Sequence, residues 1–425
     1  MTDVVVVGGG IAGLVAAREL AIGGLSVTLL EASAVLGGRV ARHTVAGIEL
    51  DAGVESFATR GGTVAAFTAE LGLGDAIVTP NPAGGWLQRA SGEAVPLPKT
   101  GLLGIPGVPL ARDVIAVIGA RGAIRAELDA LLPGSVASKE HNLGRLVRRR
   151  MGRRVLDELV APIVTGIHSR HPDELDVDAV APGLRQALLH EGSLARAVLA
   201  LRDAAPAGSA VAGIDGGIYR LVQALRADLD EAGVTVRTGV RVSGVDRGQV
   251  TLDGGEVRST GHVVLAARLR TEPAGQIEPA GEIVLATLVV DSPELDAAPR
   301  GTGLLVVAGA PGIRAKALTH STAKWSWLAE RAGSHRHVLR LSYNNVPADG
   351  LQEQARADAE KLLGVRLAPE TVAGFARVAW PLAAGTARLI EGVTRVGESV
   401  SGTGLAAVIA HAKRQSGSLL KDLAG

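Results

Sequence analysis

The segment Val4-Val5-Val6-Val7-Gly8-Gly9-Gly10-Ile11-Ala12-Gly13, with Ser26-Val27-Thr28-Leu29-Leu30-Glu31 after it, decides the fold. Four consecutive β-branched residues suit a strand buried on both faces. Glycines at 8, 10 and 13 follow in G-x-G-x-x-G spacing, and the spacing predicts a helix over 14–22 that stops at Gly23-Gly24. A second strand, 26–30, ends at Glu31. This βαβ unit is a dinucleotide-binding pattern in which each part has a physical role. The first glycine makes the tight turn, the second admits a pyrophosphate to the backbone, and the third lets helix and strand pack closely. The helix N-terminus supplies free N–H groups and positive dipole. Glu31 can accept both hydroxyls of a ribose.

Downstream, Leu36-Gly37-Gly38-Arg39 lets the chain cross near the pyrophosphate, with Arg39 placed to neutralise it. Residues 47–56 read as strands opening into a glycine turn. Prolines 96, 98, 106 and 109 punctuate an irregular stretch, followed by helical patterns near 112–132, 142–159 and 192–203. Gly213-Ile214-Asp215-Gly216-Gly217 then opens a helix reaching about 232. Strands are expected at 234–236, 240–242 and 262–267, and a strand-rich stretch runs from 283 to about 343. A helix over 351–363, strands at 371–379 and 393–396, a turn at 397–399 and a terminal helix entered through Gly402 and Gly404 complete the pattern.

Composition narrows the function classes. The 425 residues include only four Trp, two Tyr and three Phe, yet 47% are hydrophobic, so the core is aliphatic. An aromatic base-stacking platform is excluded, and a net charge of +1 leaves no electrostatic footprint for nucleic acid. Gly contributes 56 residues, nearly twice ordinary usage. The absence of Cys excludes disulfides, thiolate metal sites and a cysteinyl cofactor link. No apolar run approaches the ~18–20 residues a membrane span needs, and the chain is expected to be cytoplasmic, or peripheral to the inner face of a membrane.

These motifs, in this order, resemble the FAD-dependent amine oxidase superfamily, and within it the porphyrinogen-oxidising branch of coproporphyrinogen III and protoporphyrinogen oxidases. The superfamily level rests on Val7 to Leu14, Glu31-Ala32, Leu36 to Arg39 and Val396-Gly397-Glu398. The branch level rests on Gly53-Val54-Glu55-Ser56, Leu97-Pro98, Leu103 to Pro106, Leu159 to Ile167, Gly216 to Leu221, Lys324-Trp325 and Gly402 to Ile409. The resemblance implies an α/β fold: a Rossmann-like FAD-binding domain of glutathione-reductase type, interrupted by a helical insertion and a mixed-sheet substrate domain. The expected boundaries are 1–84, 208–278 and 385–425 for the FAD domain, 85–207 for the insertion, which would face a membrane or partner, and 279–384 for the substrate sheet.

Carried over position by position, Gly8, Gly9, Gly10, Ile11, Ala12 and Gly13 would hold the pyrophosphate of a non-covalent FAD, with Glu31 and Ala32 at the adenosine ribose. Gly38, Arg39, Gly53, Val54, Glu55 and Ser56 would line the path to the isoalloxazine. Val242 would meet the adenine, Trp380 would stand near the flavin and Glu398 at the ribityl chain. Gly404, Leu405 and Ala406 would place a helix N-terminus at the ring's pyrimidine edge, where reduced flavin is negative. Lys324 matches a flavin-side lysine and is the one weak catalytic candidate. No metal is expected. Three features depart from the pattern: Glu398 stands where aspartate is more usual, the segment from Trp380 to Gly397 is short, and Arg268 takes a position often held by proline.

The resemblance further implies oxidation of coproporphyrinogen III to coproporphyrin III in haem biosynthesis, with dioxygen as acceptor. Six electrons would leave in three two-electron steps, giving three H2O2. Alternatives are protoporphyrinogen IX oxidation, another amine oxidase or desaturase, and a non-catalytic flavoprotein partner in haem synthesis. Two tyrosines can hardly build the aromatic cage of an amine oxidase. The arginine run 145–154 contains Arg149 and Arg150, expected either to receive propionates or anionic lipid or to form a solvated helix face. Leu102, Leu103 and Ile105 are expected by default to be buried within the domain, with contact with lipid or a ferrochelatase as the alternative. His335-Arg336-His337 and His168 to His171 read as surface histidines without an acidic partner. Tyr219 and Tyr343 fit core and site equally.

Overall fold

The computed structural model describes residues 3–99, 101–168, 170–203, 211–269, 281–381 and 390–424. The chain divides into two compact units. The first comprises Met1–Pro80, Ser209–Glu282 and Trp380–Gly425, and the second Asn81–Gly208 and Ile283–Ala379. The boundaries expected at 207/208, 278/279 and 384/385 lie outside the described residues.

The first unit is built on β1 (Asp3–Val7), α1 (Ile11–Ile22) and β2 (Ser26–Leu30). β1 lies at the centre of a five-stranded sheet whose order is Thr235–Arg237, β2, β1, His262–Leu265 and Val393–Arg395, every pair parallel. Alternation along β1 explains the layers on either side. Val4 and Val6 enter an apolar core with α1 and the helices Arg220–Glu231 and Leu405–Ala424. Val5 and Val7 point the other way, to a core shared with the antiparallel meander Val242–Asp246, Gln249–Leu252 and Val257–Ser259. A parallel sheet covered on both faces needs such a continuous apolar strand. Only Val242 of the strand expected at 240–242 is extended in the ladder; the amide of Val240 instead donates to the Glu31 carbonyl.

The second unit supplies all but three terminal residues (Glu282, Trp380 and Pro381) of a seven-stranded sheet ordered Val372–Pro381, Glu282–Asp291, Arg336–Asn344, Ala317–His320, Gly303–Val306, Trp86–Gln88, Ala94–Pro96. The last two strands come from the stretch expected to be a helical insertion, and Leu87 and Val95 share one core with its helices. One sheet face packs Val284, Ala286, Leu288, Leu318, Leu339 and Leu341 against the helix Leu351–Leu363. The register sets Arg340 opposite both Thr287 and Thr319, and Ser342 opposite Leu285 and Ala317, so these residues share the other face. All of them except Thr287 are half-exposed.

The helices are more broken than their periodicity predicts, each time at a glycine. Gly119 (φ 70°) interrupts Arg112–Glu127, and the Ile118 carbonyl it frees accepts from Arg154. Gly152 (φ 96°) ends Leu143–Met151, and a π-helical turn, Leu156–Val160, follows. Leu102 and Leu103 pack on this core and Ile105 is fully buried within it, which removes Ile105 as a lipid contact.

The largest correction concerns Arg150. Its side chain is 0% exposed, ion-paired to buried Asp129, and it also donates to the carbonyls of Pro133, Asp129 and Gly192. The second Asp129 oxygen accepts from the Ala195 amide. Arg150 therefore ties three helical segments together and is not exposed to a substrate or a membrane, whereas Arg149 is exposed. Heptad-like periodicity puts Arg150 beside Leu146, Val147 and Met151 on the buried side.

Removing one partner of such a pair leaves a buried charge uncompensated. Arg150→Ala is expected to lower unfolding free energy by about 3–5 kcal/mol, and Arg149→Ala by no more than ~0.5 kcal/mol, read from urea unfolding followed by circular dichroism.

Candidate dinucleotide site

The glycine loop has three different geometries at its three key positions. Gly8 adopts φ +107°, and a Cβ there would lie 2.9 Å from the Cβ of Ala267. A Cβ on Gly13 would lie 1.9 Å from the Gly8 carbonyl oxygen, so α1 can cross β1 only on a glycine. Gly10 caps α1 in extended conformation, and a Cβ there would meet nothing within 4 Å. The space above Gly10 is thus open at the end of the helix where N–H groups are unpaired.

Glu31 closes one side of this cradle. Its Oε2 accepts from the Gly9 amide at 2.7 Å and its Oε1 from the Ser33 amide at 2.7 Å. An ionised carboxylate has about four acceptor positions, so two remain for hydroxyl donors. Leu36 to Arg39 passes beside the loop: Gly37 donates to the Gly9 carbonyl, and Gly37 and Gly38 both have positive φ. Arg39 is held by an acid from the C-terminal part of the chain. Its Nη1 donates to both Glu398 oxygens at 2.8 and 2.7 Å, and its Nη2 to the Pro381 carbonyl at 2.9 Å. The longer arm of Glu398 thus finds Arg39 instead of open space.

Gly53 is fixed by the same residue: a Cβ would stand 2.1 Å from the Arg39 carbonyl, which accepts from the Val54 amide. Val54, Glu55 and Ser56 form a half-buried connection to Phe57–Ala58. Gly397, Gly402 and Gly404 all have positive φ, and a short helix, Glu398–Ser401, replaces the expected turn. Leu405 and Ala406 begin the terminal helix, Leu405 being buried. Val242 is buried at the start of the meander. The Trp380 Nε1 atom is buried with no hydrogen-bond acceptor among the described residues. Ile11 and Ala12 are buried in the first turn of α1, and Ala32 is half-buried.

In the second unit, Lys324 ends the helix Ser321–Lys324 with its ammonium 5.0 Å from the Trp325 ring centroid. Tyr219 and Tyr343 are both core residues. Tyr219 donates to Glu49, and Tyr343 to Asp358, where burial raises its pKa. The histidine reading needs correction: Asp296, remote in sequence, bonds to both His335 and His337, and His337 is buried. Sequence spacing could not reveal this, because the acid arrives from another strand connection. His171 accepts from the Asp173 amide, and Ser169 lies outside the described residues.

A family model described as flavin containing amine oxidoreductase matches residues 11–282. The chain belongs to that family. Its cofactor is FAD, and it is an FAD-dependent oxidoreductase. The chain is 30% identical over 402 residues to coproporphyrinogen III oxidase of Mycobacterium tuberculosis, spanning 86% of this chain and 84% of that one. The Bacillus subtilis enzyme of the same name matches at 30% over 212 residues, 48% of this chain and 44% of that protein. Among solved structures, an Exiguobacterium sp. 255-15 protein provisionally named protoporphyrinogen oxidase superposes with a TM-score of 0.82. It covers 99% of both chains at 23% identity, which establishes the shared fold. No helix among the described residues is long and apolar enough to cross a membrane.

The residues of this flavoprotein fit FAD: the backbone at Gly10 is open to a pyrophosphate, and Glu31 retains acceptor capacity beside it. Gly10→Ala, whose φ of −75° suits alanine, should fold normally by circular dichroism yet lose FAD affinity at least about tenfold by flavin titration. Gly13→Ala should instead fail to accumulate as folded protein, because its Cβ would collide with backbone.

Proposed function

We propose that this flavoprotein oxidises coproporphyrinogen III to coproporphyrin III, removing six hydrogens and reducing three O2 to three H2O2. The observation that carries this reading is the similarity to coproporphyrinogen III oxidases across 86% of the chain. Bound FAD supplies two-electron acceptance from a substrate carbon and its return to dioxygen.

The chain's own residues bind and orient. Gly8 to Gly13 offer close backbone approach and α1 amides to the pyrophosphate, and Glu31 takes the adenosine ribose hydroxyls. Arg39, locked by Glu398 and the Pro381 carbonyl, fixes the Gly53–Val54 turn through its own carbonyl and so shapes the path beside the ribityl chain. The N-terminus of the terminal helix, opened by Gly402 and Gly404, would hold the flavin's pyrimidine edge and would supply N–H donors to negative charge there. Trp380 brings an N–H donor that no described residue accepts. No acid–base pair is needed, since pyrrole protons can leave to solvent.

With Arg150 buried, exposed Arg149 is what remains of that pair for the propionates, and a second cation is needed. The half-exposed sheet face with Ala317, Thr319, Ser342 and Arg340 supports such a role: small side chains accommodate a flat macrocycle, and Arg340 brings a guanidinium to the same face. Ile124, Leu128 and Leu131, exposed at 57%, 46% and 78%, support a peripheral contact of the helical segment with lipid or a ferrochelatase partner.

Anaerobic addition of coproporphyrinogen III is expected to bleach the flavin absorbance, and protoporphyrinogen IX to bleach it more slowly; if neither does, the reading fails. Arg340→Met should raise KM for the tetracarboxylate about tenfold, the loss of one charge-assisted contact, with kcat little changed in a peroxide assay.

A further inference from the structure

Around the end of the Ala317–His320 strand, four side chains from three connections form one hydrogen-bonded chain. His335 Nδ1 meets Asp296 Oδ2 at 2.6 Å, and Asp296 Oδ1 meets His337 Nε2 at 3.0 Å. His337 Nδ1 meets His320 Nε2 at 3.1 Å and the Thr322 hydroxyl at 3.4 Å. Thr322 in turn accepts from the Val338 amide. The chain runs from exposed His335 to His320, which is 0% exposed, and all four groups line a cavity of about 320 Å³.

An ionised carboxylate only accepts, so His337 carries its proton on Nε2 and leaves Nδ1 bare. Nδ1 then accepts from His320 Nε2–H, which leaves His320 Nδ1 bare in turn. That atom has no partner among the described residues. The arrangement is complete only while both buried imidazoles are neutral. A proton on His337 would force His320 into its Nδ1–H tautomer, a donor that no described residue accepts, and a proton on His320 would place a buried charge beside the same unpartnered atom.

We propose that the His320–His337–Asp296 chain is a pH-sensitive latch that holds the segment Ser321–Ala332 against the Arg336–Asn344 strand and releases it in mild acid. The other charged groups around it are already engaged or bear the wrong sign to rescue an imidazolium. Arg336 pairs with Asp291, and Lys324 and Arg331 lie over the rings of Trp325 and Trp327. Glu294 accepts from Ser292, and Glu330 is exposed on the far helix. Asp296 is shared between two histidines, which hold its carboxyl below the usual range.

Burial pushes His320 down to about 3 from 6.5, and it lowers His337 as well. Both groups therefore bind protons more readily once the segment opens. The latch is fully present above about pH 6.5 and weakens as pH falls toward the folded values. Each histidine raises the opening constant by up to about tenfold per pH unit in that window.

Hydrogen exchange of the FAD-loaded protein, corrected for intrinsic rates, tests this between pH 7.5 and 5.0. Protection of 320–338 is expected to fall at least about 30-fold from pH 6.5 to 5.0, while 3–30 is unaffected. In His320→Gln the amide keeps the donor to His337 and cannot titrate, so the loss should shrink to about half or less of its logarithmic size. Wild-type protection that ignores pH, or a variant as steep as wild type, overturns the latch. Should the variant fold poorly, nitrogen-resolved NMR of labelled wild-type histidines decides: both buried rings must be neutral with the proton on Nε2 at pH 7.5, and any other state refutes the proposal.

Discussion

The close crossing of α1 over β1 is the constraint on which the cofactor-binding unit depends. A hydrogen in place of a side chain at Gly13 lets the helix sit directly on the Gly8 carbonyl. That contact aims the helix N-terminus beyond the sheet's carboxyl edge, where Gly10 faces open space. Glu31 then ties the loop to the next strand through the Gly9 amide. Because β1 is central, a shift at this crossing would displace both apolar layers, the three helices on one side and the meander on the other.

The second unit is organised around a different kind of constraint. Its helices bend at Gly119 and Gly152, and the buried Arg150 guanidinium gathers the backbone carbonyls that short, broken helices leave unpaired. A guanidinium suits this work better than an ammonium, since its planar fork offers five donors in fixed directions.

Much of the site was legible in sequence, because the βαβ pattern is local. The strand, glycine loop, helix and terminal acid occupy about thirty consecutive residues, and their spacing alone specifies a backbone cradle. The pairing of Arg39 with Glu398 was not legible: it joins residues far apart in the chain and redirects a cation that spacing assigned to phosphate. Arg149 and Arg150 make the same point within two positions. Both carry the same charge in one basic run, yet one is solvated and the other is the largest fully buried side chain among the described residues.

The sequence by itself determined the dinucleotide fold and the aliphatic character of the core, which follow from short-range spacing and composition, and its motifs carried the resemblance to FAD-dependent amine oxidases. Tertiary structure alone decided which charges are spent. It committed Arg39 to Glu398, Arg150 to Asp129, and His337 to Asp296 and His320, and it placed Arg340 on a half-exposed sheet face. The physical reason is that a charged group takes its role from its desolvation and its nearest opposite charge. Both are set by residues brought together only when distant segments of the chain pack.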